Sequence, residues 1–286
     1  RDADTIRQVQ EIFRQNFPSV SSYADKIPDM LDKPFTYRYR SILLVSQTAD
    51  RKVTGFSLIF HFPEINSSLL DFVAIRPGIK GHGLGSALYE ASRDTLRQLG
   101  SRGLYMEALP DDPALEKNPV KLEENRQRLK FYEYYGVYPI VGTAFETPTD
   151  ESPAPYLLFD PLGRKQPLTR RECRAAVRLI LQRKYSRFLS PEYIEMVVRS
   201  IKDDPVRFRE PRYQRIEVPQ PLQNDRLQRS MALVSSSVHR IHHVRERGYV
   251  ERPARIEILE QVLMETGQPG IAEAFHGIIE NYRWLS

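Results

Sequence analysis

A single cysteine, Cys173, stands among the 286 residues. No intramolecular disulfide can form, and the chain fits a reducing, cytoplasmic compartment. Apolar runs are short: none reaches the length of a membrane span and no signal peptide is visible, so no membrane contact is expected. The chain opens on Arg1 and not on Met, which leaves open a piece of a longer protein with a removed leader. Neither sign of charge dominates. The 42 basic residues face 37 acidic ones, for a net charge of +5, a balance that suits an anionic small ligand and gives no argument for nucleic acid. The length calls for one large or two modest domains.

What is present is concentrated in residues 70–85, LDFVAIRPGIKGHGLG. Strand-favouring Phe72, Val73 and Ile75 stop at Pro77 and Gly78. Three alternate glycines, Gly81, Gly83 and Gly85, follow, and then an apolar stripe at helical spacing, Leu84, Leu88, Ala91 and Leu99. A strand, a glycine-rich turn and a helix leave backbone N–H groups free at the positive end of a helix, a place suited to phosphate or pyrophosphate. A tight connection is the plainer alternative. The glycine spacing fits neither the dinucleotide pattern G-x-G-x-x-G nor a nucleoside triphosphate loop ending in Gly-Lys-Ser/Thr.

The pattern does resemble motif A of the GNAT acetyltransferases: a strand ending in Ile75-Arg76-Pro77, then Lys80-x-x-Gly83-x-Gly85, with Lys80 in place of the usual Arg or Gln. A second resemblance lies in Asn125, Tyr132 and Gly136-Val137, which stand where that family has an Asn, a Tyr seven residues on, and a Gly-Phe-like turn. The order of predicted elements agrees. A helix over 4–16, capped by Asp4, is followed by a looped region broken by Pro18, Pro28 and Pro34, whose Tyr23, Phe35, Tyr37 and Tyr39 either shape an acceptor site or pack on the sheet. Strands are expected at 41–46, 53–62, 69–75, 104–109, 138–145 and 156–159, and an acidic surface loop at 111–124 runs into a helix over 125–136. The expected architecture is α/β, a GNAT fold with a mixed, mostly antiparallel sheet flanked by helices, plus a helical C-terminal extension. The expected domains are 1–162 for the acetyltransferase, 163–224 for a basic helical extension and linker, and 225–286 for an incomplete third segment.

The resemblance implies acetyl-CoA as cosubstrate and a primary amine as acceptor: a protein lysine, a polyamine or another small amine. The backbone of Lys80, Gly81, His82, Gly83, Leu84 and Gly85, with the Ser86 hydroxyl, would hold the pyrophosphate. Ala74 and Ile75 would pair with the pantetheine arm where two strands splay apart, and Asn125 is counted with the cofactor-binding residues. Tyr132 matches the tyrosine that protonates the departing thiolate, with a core aromatic as its other reading and Tyr134 or Tyr135 as substitutes. For the general base the candidates are Glu107 and Asp71, then Glu64 or a base relayed through solvent. His82 reads as a solvated neighbour of the phosphates. No metal is expected, and no activated Cys or Ser suggests a covalent intermediate. The rival from another class is a non-catalytic CoA-binding sensor or adaptor whose basic helices bind a partner.

Beyond residue 162 a capping box, Thr169-x-x-Glu172, opens one amphipathic helix and Ser190-Pro191 opens another, with Ile194, Val197, Val198 and Ile201 on one face. Their apolar stripes need a partner: the sheet, another chain or a missing domain. Arg170, Arg171, Arg174, Arg178, Arg183, Lys184 and Arg187 read as a solvated helix face, with a nucleic-acid surface as the alternative. Cys173 reads as structural, and residues 202–224 read as an extended linker. The stretch 235–263 is similar to the opening of the histone deacetylase and acetylpolyamine amidohydrolase family: Gly248, Glu251-Arg252-Pro253 and Arg255 match, while Tyr249 and Val250 replace a His-Pro pair. That resemblance implies the start of a truncated deacetylase-like domain, with the missing remainder as a possible intramolecular partner. His239, His242 and His243 invite a zinc reading, but the family's metal cluster lies far downstream of this signature.

Overall fold

The computed structural model describes residues 2–79, 83–145, 154–185 and 188–213. The deacetylase-like stretch, with His239, His242 and His243, lies outside them. Asp2 and not Asp4 caps the first helix, α1 (Ala3–Asn16): Asp2 Oδ1 accepts from the Asp4 and Thr5 backbone N–H groups, while Asp4 pairs with Arg7 inside the first turn. Two residues of shift matter little to the helix, because either carboxylate meets the positive end of the dipole. The looped region is instead a run of short helices, a 3₁₀ segment (Pro18–Lys26), α2 (Ile27–Asp32) and α3 (Pro34–Tyr37), each with proline at its first or second position. There proline starts a helix, because its missing N–H has no partner to lose.

The strands are β1 (Arg40–Gln47), β2 (Val53–Phe62), β3 (Ser67–Ile75) and, after helix α4 (Leu84–Gln98), β4 (Leu104–Ala108). Helix α5 (Pro119–Tyr134), capped by Asn118, leads to β5 (Tyr138–Pro139) and β6 (Tyr156–Asp160), and the chain continues into α6 (Arg170–Lys184) and α7 (Pro191–Ser200). The sheet order is β1-β2-β3-β4-β6-β5, antiparallel except for β3 against β4. The expected strand over 138–145 stops at Pro139, which offers no N–H to a ladder, and goes on only as a bridge between Ile140 and Phe208.

Two features of β3 set up the site. Leu58 of β2 faces Phe72 and Ile59 faces Leu70, so Asp71 is the extra residue of a β-bulge. On its other edge β3 pairs with β4 only at Ser68–Leu104, Leu69–Tyr105 and Leu70–Met106. Past Leu70 the two strands part, and the edge of β3 from Asp71 to Ile75 is left open toward β4. Opposite Ile75 stands Gly55, where a Cβ would meet Ile75 Cδ1 at 2.6 Å and the Ala74 carbonyl at 2.8 Å, so no side chain fits.

Alternation along the strands divides the apolar residues between two faces. Val9 and Phe13 of α1 share one core with Phe56, Leu69, Tyr105 and the stripes of α6 and α7, Val177, Ile180, Leu181 and Val197. Tyr89 and Leu96 of α4 and Leu129 and Tyr132 of α5 share the other with Ile59, Leu70 and Met106. The partner that the two C-terminal helices require is therefore the sheet. After α7 the chain is not an extended linker but a strap: Val206 N–H donates to the Leu168 carbonyl, Val141 N–H to Arg207, and Arg209 N–H to Pro139. Its end reaches Asp111, expected in a surface loop but fully buried: Arg209 lies 2.7 Å from the Asp111 carboxylate and 3.0 Å from that of Glu133, and Tyr213 O–H donates to Asp111 at 2.8 Å. No described helix is long and apolar enough to cross a membrane.

Candidate active site

Helix α4 begins at Gly83, whose φ of +65° lies in the left-handed region, and no side chain caps its first turn. A Cβ built on Gly83 or Gly85 would meet nothing within 4 Å. Leu84, Gly85 and Ser86 thus form an open, positively polarised helix start of the kind that accepts an anion, and these residues fit a pyrophosphate. Lys80, Gly81 and His82 lie outside the described residues. Ser86 meets the hydroxyl of Tyr135, which also donates to Glu90 Oε1 at 3.0 Å; burial first, with Glu90, pushes the Tyr135 hydroxyl up to about 12. Ala74 and Ile75 lie on the open edge of β3, and Ile75 presents its carbonyl to the Asn16 amide at 3.2 Å.

The three candidate proton carriers fall on opposite faces of the sheet. Tyr132 is 5% exposed in the core of α4 and α5, its ring 5.6 Å from Tyr89 and 5.4 Å from Phe131. Burial pushes its hydroxyl up to about 12, so at neutral pH it holds its proton. Tyr134, by contrast, is exposed. Asn125 is buried, and its amide donates to the Pro110 carbonyl at 2.9 Å, tying α5 to the exit of β4. Its side chain is engaged within the fold.

Asp71 and Glu107 both point to the other face, just past the last β3–β4 pair, and Lys184 of α6 lies between them. Its Nζ is 2.7 Å from Asp71 Oδ1 and 3.0 Å from Glu107 Oε2. Tyr23 O–H donates to Asp71 Oδ2 at 2.8 Å and Tyr185 O–H to Glu107 Oε2 at 2.7 Å. Burial opposes the Lys184 charge, but the carboxylates of Asp71 and Glu107 outweigh it and raise the ammonium well above the usual lysine range. Burial pushes the Asp71 carboxyl up, against the pull of Lys184 and Tyr23. Asp71 Oδ2 thus has the Tyr23 hydroxyl and Oδ1 only the ion pair with Lys184, whereas Glu107 Oε1 is buried with neither a hydrogen bond nor an ion pair. Glu64 stands apart, ion-paired with Arg183 and half exposed.

Lys184 and Tyr185 are not among the expected site residues, Tyr23 is expected only to shape an acceptor site or to pack on the sheet, and Lys184 is not part of a solvated face: its side chain is 13% exposed. A signal was present, since Cys173, Val177, Ile180, Leu181 and Lys184 follow one helical stripe. Four other cations of the expected patch are also engaged, while Arg171 is exposed. Arg170 pairs with Asp204, Arg174 donates to the Ile201 carbonyl, Arg178 grips Glu195 with two nitrogens, and Arg183 holds Glu64. Arg187 lies outside the described residues. Little of this charge is free for a polyanion. No group of side chains that could hold a metal ion occurs among the described residues.

Residues 6–117, from α1 through β4, match the family model described as "Acetyltransferase (GNAT) family". Among solved structures, a GNAT-family protein from Desulfovibrio desulfuricans is similar at 16% identity and a TM-score of 0.44, over 56% of this chain and 94% of that one. The aminoglycoside 6'-N-acetyltransferase from Enterococcus faecium is similar at 15% identity and a TM-score of 0.42, over 56% and 92%. The PaiA N-acetyltransferase from Thermoplasma acidophilum, solved with coenzyme A, is similar at 13% identity and a TM-score of 0.35, over 56% and 92%. No curated protein matches the chain. The mixed six-stranded sheet flanked by helices is the GNAT fold, and the stretch that the family model matches runs from the first helix to the strand that carries Glu107.

Proposed function

We propose that the chain transfers the acetyl group of acetyl-CoA to a primary amine by direct attack, without a covalent enzyme intermediate. The observation that carries this reading is the parting of β3 from β4 after Leu70 and Met106, beside the uncapped start of α4, with Tyr132 on one face of the sheet and Glu107 on the other. The N–H groups at the start of α4 bind the pyrophosphate, and the open edge of β3 at Ala74 and Ile75 holds the pantetheine arm. The amine nitrogen attacks the thioester carbon, a C–N bond forms and the C–S bond breaks. Glu107 Oε1, the carboxylate oxygen of the pair that lacks a donor, takes the amine proton, and Tyr132 gives its proton to the departing thiolate. Asp71, enclosed by Lys184 and Tyr23, supports Glu107 and does not itself reach the acceptor.

Thiol release from acetyl-CoA against a panel of primary amines tests this. Amine-dependent release is expected, falling about 10²-fold or more in Tyr132→Phe and in Glu107→Gln, with acetyl-CoA affinity retained. Tight acetyl-CoA binding with no release on any amine, and no effect of Tyr132→Phe, would replace the enzyme by a CoA-binding sensor.

A further inference from the structure

We infer that Lys184 is a positioning residue of the active site, an internal counter-cation supplied by the C-terminal extension that keeps Glu107 ionised as a base and leaves the acceptor cleft a single net negative charge. The inference rests on the acetyltransferase reading and extends it to a helix that lies outside the matched residues 6–117. An ion pair formed only for stability has no reason to sit at the fork of the two parting strands. Lys184 does so, reaching from the end of α6 across the face of the sheet to the first residues after the last β3–β4 pair.

Among the described residues, the groups that face the Lys184 ammonium are few. They are Asp71 from β3, Glu107 from β4, Tyr23 from the 3₁₀ segment, Tyr185 next to it in its own chain, and Tyr39 before β1 acting through Asp71. The tyrosine hydroxyls stay neutral, each raised above its usual range by burial and then by the carboxylates. Two carboxylates and one ammonium remain. Without the ammonium, two adjacent buried carboxylates cannot both ionise, and one holds a proton near neutral pH. With it, Asp71 has Tyr23 and Lys184 as partners, and Glu107 keeps one bare oxygen for a donor. That oxygen fits the N–H of a monocationic primary amine, whose single charge balances the cleft.

The test is Lys184→Met against Lys184→Arg. Across pH 5 to 9, amine-dependent thiol release by Lys184→Met should show the acid limb of kcat/KM moved up by about one unit or more, a tenfold loss per unit on that limb, with KM for acetyl-CoA unchanged. Lys184→Arg should return the limb toward wild type, because the charge is restored. Carbon-13 titration of the side-chain carboxyls gives a readout that needs no turnover, and the carboxyl pair should titrate higher in Lys184→Met. The pair variant Lys184→Met with Asp71→Asn removes one charge of each sign, so it keeps the test open if the single change does not fold. It should bring the acid limb of kcat/KM back toward wild type. Superimposable pH profiles and titrations for wild type and Lys184→Met overturn the inference and leave the acetyltransferase reading intact. A wild-type protein that turns over no amine overturns that reading and the role of Lys184 with it.

Discussion

Replacing Arg209 with Met should unfasten the strap that follows α7. Arg209 is 11% exposed and lies between two carboxylates that are 0% and 3% exposed, Asp111 at the exit of β4 and Glu133 on α5. Removing one partner of a buried pair costs about 3–5 kcal/mol because the remaining charge is left without compensation. Here the loss should sit at the low end, about 3 kcal/mol by the same scale. Arg212 Nη1 at 3.1 Å and the Tyr213 hydroxyl still serve Asp111, and the backbone N–H groups of Arg212 and Tyr213 still serve Glu133. For a fold of this size that is a fall in Tm of roughly 6–12 °C. Thermal melting followed by near-ultraviolet circular dichroism measures it. The pH dependence gives a second check. Burial pushes the Asp111 carboxyl up, but the hydrogen bonds of Arg209 and Tyr213 hold it below its ordinary value. Its contribution is therefore present above the ordinary value of 3.8 and is lost as the pH falls through the lower folded value. The gap between wild type and variant should close in that window. A Tm within about 2 °C of wild type at pH 7, less than one kcal/mol on this scale, would show that residues 202–213 do not belong to the cooperative unit.

Two further perturbations address the sheet. Burial, then the charge of Arg40, holds the His61 imidazole down to about 4 from its ordinary value of 6.5. The unfolded chain takes up the proton first, so stability should be intact above about pH 6.5 and decline by at most about 3 kcal/mol toward pH 4. Urea unfolding at pH 7 and pH 5 should show that decline in wild type and not in His61→Gln, and equal slopes in both would contradict it. Gly55→Ala places its Cβ against the Ala74 carbonyl and Ile75, an overpacking worth about 1–3 kcal/mol. It should also weaken acetyl-CoA binding by displacing the open edge of β3; calorimetry with unchanged affinity would separate that edge from the ligand.

The strands and α4 were legible because each is written in local patterns: alternation in residues 53–62, the stop at Pro77, the stripe from Leu84 onward. Tyr132 and Glu107 could be named as candidates only through the family resemblance, one by its distance from Asn125 and the other as one of two acidic residues in the central strands. What could not be read is what distant chain brings together. Asp111 looks like a solvent loop in PDDP, and only Arg209, 98 residues away, explains its burial. Lys184 looks like one cation in a basic run, although its helical phase puts it with Val177 and Leu181, and its partners lie 77 and 113 residues back, at Glu107 and Asp71. The pairing of Leu70 with Met106 puts Asp71 and Glu107, one residue further on each strand, on the same face, where alternation within each strand left open which of the two faces the cleft.

A structure of the full chain with acetyl-CoA bound bears most directly on the proposed chemistry. The pyrophosphate is expected on the backbone N–H groups that begin α4, at Gly83 to Ser86, and the acetyl carbon is expected between the parting ends of β3 and β4, with Tyr132 on the sulfur side and Glu107 Oε1 facing the acceptor side. Pyrophosphate bound elsewhere, or an acetyl group turned away from both Tyr132 and Glu107, would contradict the assignment of this fork as the place of transfer.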